Sequence, residues 1–310
     1  MSALPGPSYE SVLRELAAAD DRIIVMTAEN RAAIRNLPEA LGERFIDTGI
    51  NEQTLIGASA GLALRGRIPV VHALAAFLTM RAFEFIRTDV GVPGLPVKLV
   101  GYVPGLLSEA NGPTHQALED VALMRTIPGM RVFCPADEAD LLLGLPVVVG
   151  DKAPWYVRFN ALRAEIRHEP FVIGRAEVIR EGSDVGMLVC GALLREAHKA
   201  ASLLERSGIM TRLVNMRSVE PLDERTVIET VGRCRRVVTV EDHFVRGGLF
   251  SAVSEVLVRN GVPGYVTPIS LEHEWFRPAL LSDVLAGTGL RGDLLAERVR
   301  EIVELAGTKR

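Results

Sequence analysis

Short apolar runs alternate along the chain with longer segments whose apolar residues recur at helical spacing. Val12, Leu13, Leu16 and Ala17 predict a helix over 9–19, capped by Ser8, and the run 22–26 (RIIVM) predicts a buried strand. A polar loop, 27–30, closes that strand. The alternation continues through a short strand ending at Phe45-Ile46, an Ala- and Gly-rich helix 55–64 (LIGASAGLAL), a strand 68–73, a helix 78–89 and a strand 96–102. A polar loop 108–116, a helix 118–125, a strand 130–134, a helix 137–144 and a strand 155–159 complete this half. Residues 160–182 are charged, carry Pro170, and read as a linker with one short strand. Beyond it come strands 185–190, 211–215, 236–240 and one near 266–269, with helices 193–207, 224–231, 249–259 and 294–305 between and after them. A polar turn is expected at 220–223 and a loop at 241–248. Residues 1–8, with two prolines and a glycine, read as loosely ordered.

Strands separated by helices form parallel sheets covered on both faces. The expectation is an α/β protein of two doubly wound domains, 1–165 and 183–310, joined by a linker at 166–182. The length of 310 residues agrees with two domains, and 48% hydrophobic residues suffice for two cores. In such sheets ligands collect at the C-terminal ends of the strands.

Charge and special residues then narrow the function. The formal net charge of −4 and the absence of a basic cluster exclude a nucleic-acid footprint. The run 233–236 (RCRR) reads as a solvated helix end. Cys134, Cys190 and Cys234 are odd in number and far apart, so no disulfide framework or metal spacing is expected, and their apolar neighbours make each a buried small hydrophobe. No leader pattern opens the chain and no apolar run is long enough for a bilayer, so a cytoplasmic protein without membrane contact is expected. Neither a GxGxxG nor a GxxxxGK[ST] phosphate loop is present, and no HExxH metal motif. Gly247-Gly248 opens a helix, where it could cradle an anion, although close packing explains the pair better.

Two stretches carry candidate chemistry. In FIDTGINEQT (45–54), Asn51-Glu52 stands at the mouth of the small-residue helix, next to its unpaired N–H groups. The low bulk of that helix means that something approaches its backbone closely. Taken alone, Glu52 reads as a helix-capping acid. In NGPTHQ (111–116), His115 lies between a strand and a helix, near the ligand edge of the sheet; a histidine there suits proton transfer, although a lone loop histidine is more often structural.

The runs DTGINEQTLIGASAGLALRGRIPVV, GPTHQALEDVALMRTIPGMRVFCPAD and TVEDHFVRGGLFSAVSEVL resemble, in order and spacing, the second half of a transketolase. The resemblance covers nearly the whole chain and is strongest to the C-terminal subunit of two-chain transketolases. It implies a thiamine-diphosphate-fold pyrimidine-binding domain followed by a transketolase C-terminal domain. It also implies thiamine diphosphate as a cofactor shared with an N-terminal diphosphate-binding subunit, which would hold Mg2+ or Ca2+, in an α2β2 assembly. The implied reaction is transfer of a two-carbon ketol unit from a ketose-type donor to an aldehyde acceptor. Glu52 then matches the family glutamate that shares a proton with the pyrimidine ring. Phe77 matches an aromatic that packs on that ring, Glu29 a family acid after the first strand, and Ile50 a cofactor neighbour. Leu74 and Met80 match family aromatics loosely, and core packing is an equal reading. His115 and Asn111 fall on the substrate loop. Arg158 matches an arginine that binds a substrate phosphate, with a strand-end surface charge as the even alternative. His243 reads as structural. The chain departs from sugar-phosphate transketolases at Asn111, where an aspartate is expected, at Val103, where a histidine is usual, and at Ala33, where a serine grips phosphate. Those losses put ordinary pentose-phosphate specificity in doubt and point to a less usual partner in specialised metabolism. Two other readings remain here, a 2-oxo acid dehydrogenase-type beta subunit and a non-catalytic assembly partner.

Overall fold

The structure, a computed structural model, describes residues 6–272 and 275–307; residues 1–5, part of the stretch read as loosely ordered, lie outside the described residues. The first half runs α1 (Tyr9–Ala19), β1 (Ile23–Thr27), α2 (Leu37–Leu41), β2 (Phe45–Asp47), α3 (Glu52–Leu64) and β3 (Ile68–Leu74). A helical segment over 77–91 follows, in which the three residues of α4 (Phe83–Phe85) join two π-helical stretches, Phe77–Arg81 and Ile86–Gly91. Then come β4 (Lys98–Tyr102), α5 (Asp120–Arg125), β5 (Arg131–Phe133), α6 (Glu138–Gly150) and β6 (Trp155–Arg158). The second half runs β7 (Glu177–Arg180), β8 (Val185–Val189), α7 (Leu194–Arg206), β9 (Thr211–Asn215), β10 (Ser218–Glu220), α8 (Glu224–Arg233), β11 (Arg236–Phe244), α9 (Leu249–Arg259), β12 (Val266–Leu271), α10 (Leu281–Gly287) and α11 (Gly292–Gly307).

The strands form two sheets. The first has the order β10-β5-β6-β4-β3-β1-β2, and every strand except β10 is parallel to its neighbours. The second has the order β12-β11-β8-β9-β7, with only the edge strand β7 antiparallel. Central strands buried on both faces, such as β1, β4 and β8, follow from the continuous apolar runs. The doubly wound α/β reading therefore stands.

The differences are local. The turn expected at 220–223 is preceded by β10, which leaves its own domain and pairs with β5 at the edge of the first sheet. One apolar cluster accordingly runs from Leu55 and Val132 to Val214, Met216 and Val253, so the two halves share a core. Strand β11 continues to Phe244 and shortens the expected loop, and α6 continues to Gly150 through Pro146 because Leu141, Leu145 and Val148 stay buried. The short helices α2 and α10 carry too few residues for a periodic signal. All three cysteines are free and buried, as their flanks predict.

Candidate active site

The cleft forms where β1, β2 and β3 end. After β1 the chain enters an unusual conformation at Glu29, whose φ of +66° is one that L side chains rarely adopt. Asp47, at the end of β2, holds it there by accepting the Glu29 N–H at 3.0 Å, and also accepts the Gly49 N–H at 2.9 Å and Nε of Arg31 at 2.9 Å. Burial pushes the Asp47 carboxyl up, but Arg31 and the two backbone donors outweigh it and leave it below the usual range. This junction delivers the chain to α3. There the cap is Asn51, whose Oδ1 accepts the Thr54 N–H at 3.1 Å. The capping role considered for Glu52 is thus taken by its neighbour. Glu52 is the first helical residue and is 2% exposed, a buried carboxylate at a helix N-terminus.

Glu29, Ile50, Glu52, Leu74 and Phe77 line one cleft of ≈ 270 Å³, together with Ala28 and Asn30. Met80 lies outside that lining and is 40% exposed. His115 joins the site through Phe77, their rings 5.0 Å apart and 63° inclined, and its Nδ1 lies 2.9 Å from Oγ1 of Thr114. Beside it, Gln116 is wholly buried and neither of its amide atoms has a partner among the described residues. Asn111 is exposed on the same loop, and its Nδ2 donates to Oγ of Ser108 at 3.4 Å. The loop leaves β4 through Val103, with a φ of +45°. Among the described residues, the non-glycine residues with left-handed backbone, Glu29 and Val103, both follow strands of the first sheet.

Arg158 fits neither reading made from the sequence. It is no surface charge, being 2% exposed, and its guanidinium is already occupied. Nε donates to Asp120 at 2.8 Å and Nη1 to Asp242 at 2.7 Å, while Nη2 reaches the Ala117 carbonyl at 3.4 Å. Burial disfavours the cation, but Asp120 and Asp242 outweigh it and raise the Arg158 pKa further. This cluster ties β6 to β11 and pins both ends of the substrate loop, since Asp242 also accepts the Leu106 N–H at 3.4 Å. A Cβ on Gly105 would lie 1.8 Å from the Asp242 carboxylate, so that position has room for glycine alone.

The glycine pair 247–248 is likewise settled by packing. A Cβ on Gly248 would stand 2.0 Å from Oε2 of Glu241, and one on Gly247 would stand 2.5 Å from Ala122. The anion at the α9 N-terminus is Glu241 itself, accepting N–H groups of Leu249 and Phe250 at 2.6 and 2.9 Å. Burial nevertheless pushes its carboxyl up to about 7. His243 is buried and bonded to Phe244 and Ala122.

Sequence reasoning missed Arg81. Its Nη1 donates to Oε2 of Glu52 at 2.9 Å, and its Cζ sits 4.4 Å from the Phe77 ring centroid. The one available signal was the i,i+4 spacing of Phe77 and Arg81 on a helix. Asp120 and Asp242 carried no signal of their meeting, which only the domain packing creates.

A flat aromatic face (Phe77), a buried acid beside it (Glu52) and apolar walls (Leu74, Ile50, Ala28) suit a planar heteroaromatic ring. The same chain offers no phosphate cradle there, since Arg31 and Arg81 are both committed to carboxylates. No cluster of three or more His, Cys, Asp or Glu placed for a metal occurs among the described residues. Residues 7–164 match the transketolase pyrimidine-binding domain and residues 174–293 the transketolase C-terminal domain, and the chain belongs to the transketolase family.

Its make-up is that of a split-transketolase subunit. It is 38% identical over 258 residues to the 6-deoxy-6-sulfo-D-fructose transketolase subunit SqwH of Clostridium sp. (strain MSTE9), covering 82% of this chain and 80% of that one. A solved split-gene transketolase, described as an inactive beta4 tetramer, superposes with a TM-score of 0.87 at 34% identity over 96% of this chain and 97% of that one. The chain is also 36% identical to 1-deoxy-D-xylulose-5-phosphate synthase of Synechococcus sp. (strain JA-3-3Ab), where 96% of it spans 48% of the longer protein. The R525L transketolase of Pichia stipitis shares the fold, with a TM-score of 0.76 at 16% identity. The protein is a transketolase-like transferase subunit of the thiamine diphosphate-dependent family.

Proposed function

We propose that Glu52 activates a thiamine diphosphate whose charged tail is held by a separate diphosphate-binding subunit, and that the pair transfers a two-carbon ketol unit. The observation that carries this reading is the buried carboxylate on the wall of a ring-sized cleft that Phe77 also lines. When bound, the cofactor supplies a thiazolium carbon that becomes nucleophilic on losing its proton. Glu52 would exchange a proton with the pyrimidine ring nitrogen. Phe77, Leu74 and Ile50 would hold the ring and exclude water, and Glu29 lines the same cleft. His115, against Phe77, would donate to oxygen atoms of the substrate, with Asn111 at the rim. Arg158 takes no part in this reading, because its Nε and Nη1 donate to Asp120 and Asp242.

The surface around the cleft supports a second chain. Ile50, which lines the cleft, is 72% exposed, Leu64, Met80 and Phe85 on α3 and the 77–91 segment are exposed as well, and a Cβ on Gly61 of α3 meets nothing within 4 Å. An exposed apolar surface of this kind suits contact with another polypeptide. Mg2+ or Ca2+ would sit with that subunit's diphosphate site, and a two-fold α2β2 assembly satisfies both half-sites. Among the described residues no helix is long and apolar enough to cross a membrane. We place the enzyme in the cytoplasm.

The donor is read from what the site lacks. Asn111, Val103, Ala33 and the neutralised Arg158 remove polar partners that a phosphorylated polyhydroxy donor needs. The similarity to a 6-deoxy-6-sulfo-D-fructose transketolase subunit makes that sugar the first donor to assay. In a reconstituted two-chain complex with an aldehyde acceptor, turnover should exceed that on xylulose 5-phosphate plus ribose 5-phosphate by tenfold or more, about 1.4 kcal/mol of discrimination. Ordinary transketolase rates on the pentose phosphates would count against the specificity.

A further inference from the structure

Arg81 meets both residues to which the ring reading assigns the main contacts, and yet it does not line the cleft. Its guanidinium covers Phe77 and bonds Oε2 of Glu52, leaving Oε1 without a protein partner among the described residues. Its side chain is 44% exposed, and it ends the π-helical stretch Phe77–Arg81. The wider π turn changes the projection of the side chains that follow it relative to a regular helix, a feature frequent at functional sites. Glu52 and Arg81 come from elements 29 positions apart in sequence, so the pair also fixes α3 against this segment.

We propose that Arg81 is a positioning residue for cofactor activation. It locks one carboxylate oxygen of Glu52 and packs on the Phe77 ring, so that Oε1 and that ring are pre-set before the cofactor arrives. This rests on the thiamine diphosphate reading above. Pre-setting two contacts lowers the ordering cost of binding. Arg81 is half exposed, which bounds the gain to about that of an exposed ion pair plus one cation–aromatic contact.

The test is a double-mutant cycle on the two-chain complex, reading the thiamine diphosphate dissociation constant by calorimetry for wild type, Arg81→Ala, Glu52→Gln and both together. Arg81→Ala should weaken cofactor binding by about three- to tenfold, leave the KM for the sugar donor unchanged, and cost much less in the Glu52→Gln background. Arg81→Lys should recover part of the loss, since it restores charge without the flat stacking plane. Binding unchanged or tightened in Arg81→Ala, or an equal loss in both backgrounds, overturns the proposal. A wild-type complex that does not bind the cofactor, or binds it indifferently to Glu52 and Phe77 substitutions, overturns the function reading instead.

Discussion

At the scale of single residues, the claim concerns one carboxylate. Glu52 is buried, but its partner Arg81 is half exposed, and a pair of that kind contributes about 0–1 kcal/mol to folding. Glu52→Gln should therefore shift unfolding free energy by no more than about 1 kcal/mol, measured by denaturant titration, while abolishing catalysis. A larger stability loss would make the residue structural first. The position of Glu52 was legible because Asn51-Glu52 stands between a strand end and a helix of small residues. Its partner was not, because nothing in a linear sequence ties it to Arg81. Arg158 shows the opposite failure. Its place at a strand end was legible, but its chemistry is set by Asp120 and Asp242, which approach only when the halves dock.

At the scale of elements, apolar runs gave the strands and periodicity gave the long helices, since both report burial directly. Elements held by tertiary context escaped. Strand β10 has three residues and forms because β5 offers it an edge. The π turns of 77–91 share their apolar pattern with an ordinary helix. The linker proved more than a tether. Within it His168 donates to Asp137 after β5 and to Glu177 of β7, at 3.0 and 2.8 Å, in a wholly buried side chain. Burial alone would depress its pKa, but the two carboxylates raise it from 6.5 to about 10. The proton is thus held more tightly in the folded than in the unfolded chain. Its stabilisation is complete below pH 6.5 and is lost as pH rises through about 10. Thermal melts of wild type and His168→Asn should differ by several degrees near pH 7 and converge toward pH 10. A difference that does not change with pH would contradict the pairing.

At the scale of the whole molecule, the two halves share one core. The buried Arg158 cluster, the crossing of β10 and the shared apolar cluster join them. Arg158→Met would leave Asp120 and Asp242 buried without a cation and should cost about 3–5 kcal/mol of stability, with proteolysis or denaturant melts reporting looser domains. A loss below 1 kcal/mol would show that the cluster does not hold the halves together. Among the described residues Arg31 and Arg81 are paired with carboxylates, and Ile50 on the cleft lining is exposed. Both observations lead to a companion subunit. The most direct measurement is the rate of hydrogen–deuterium exchange at the thiazolium carbon of thiamine diphosphate bound to the two-chain complex, followed by quenched-flow NMR. Glu52→Gln, with cofactor fully bound, should slow that exchange by about a hundredfold or more, and an unchanged rate would contradict the assignment of Glu52.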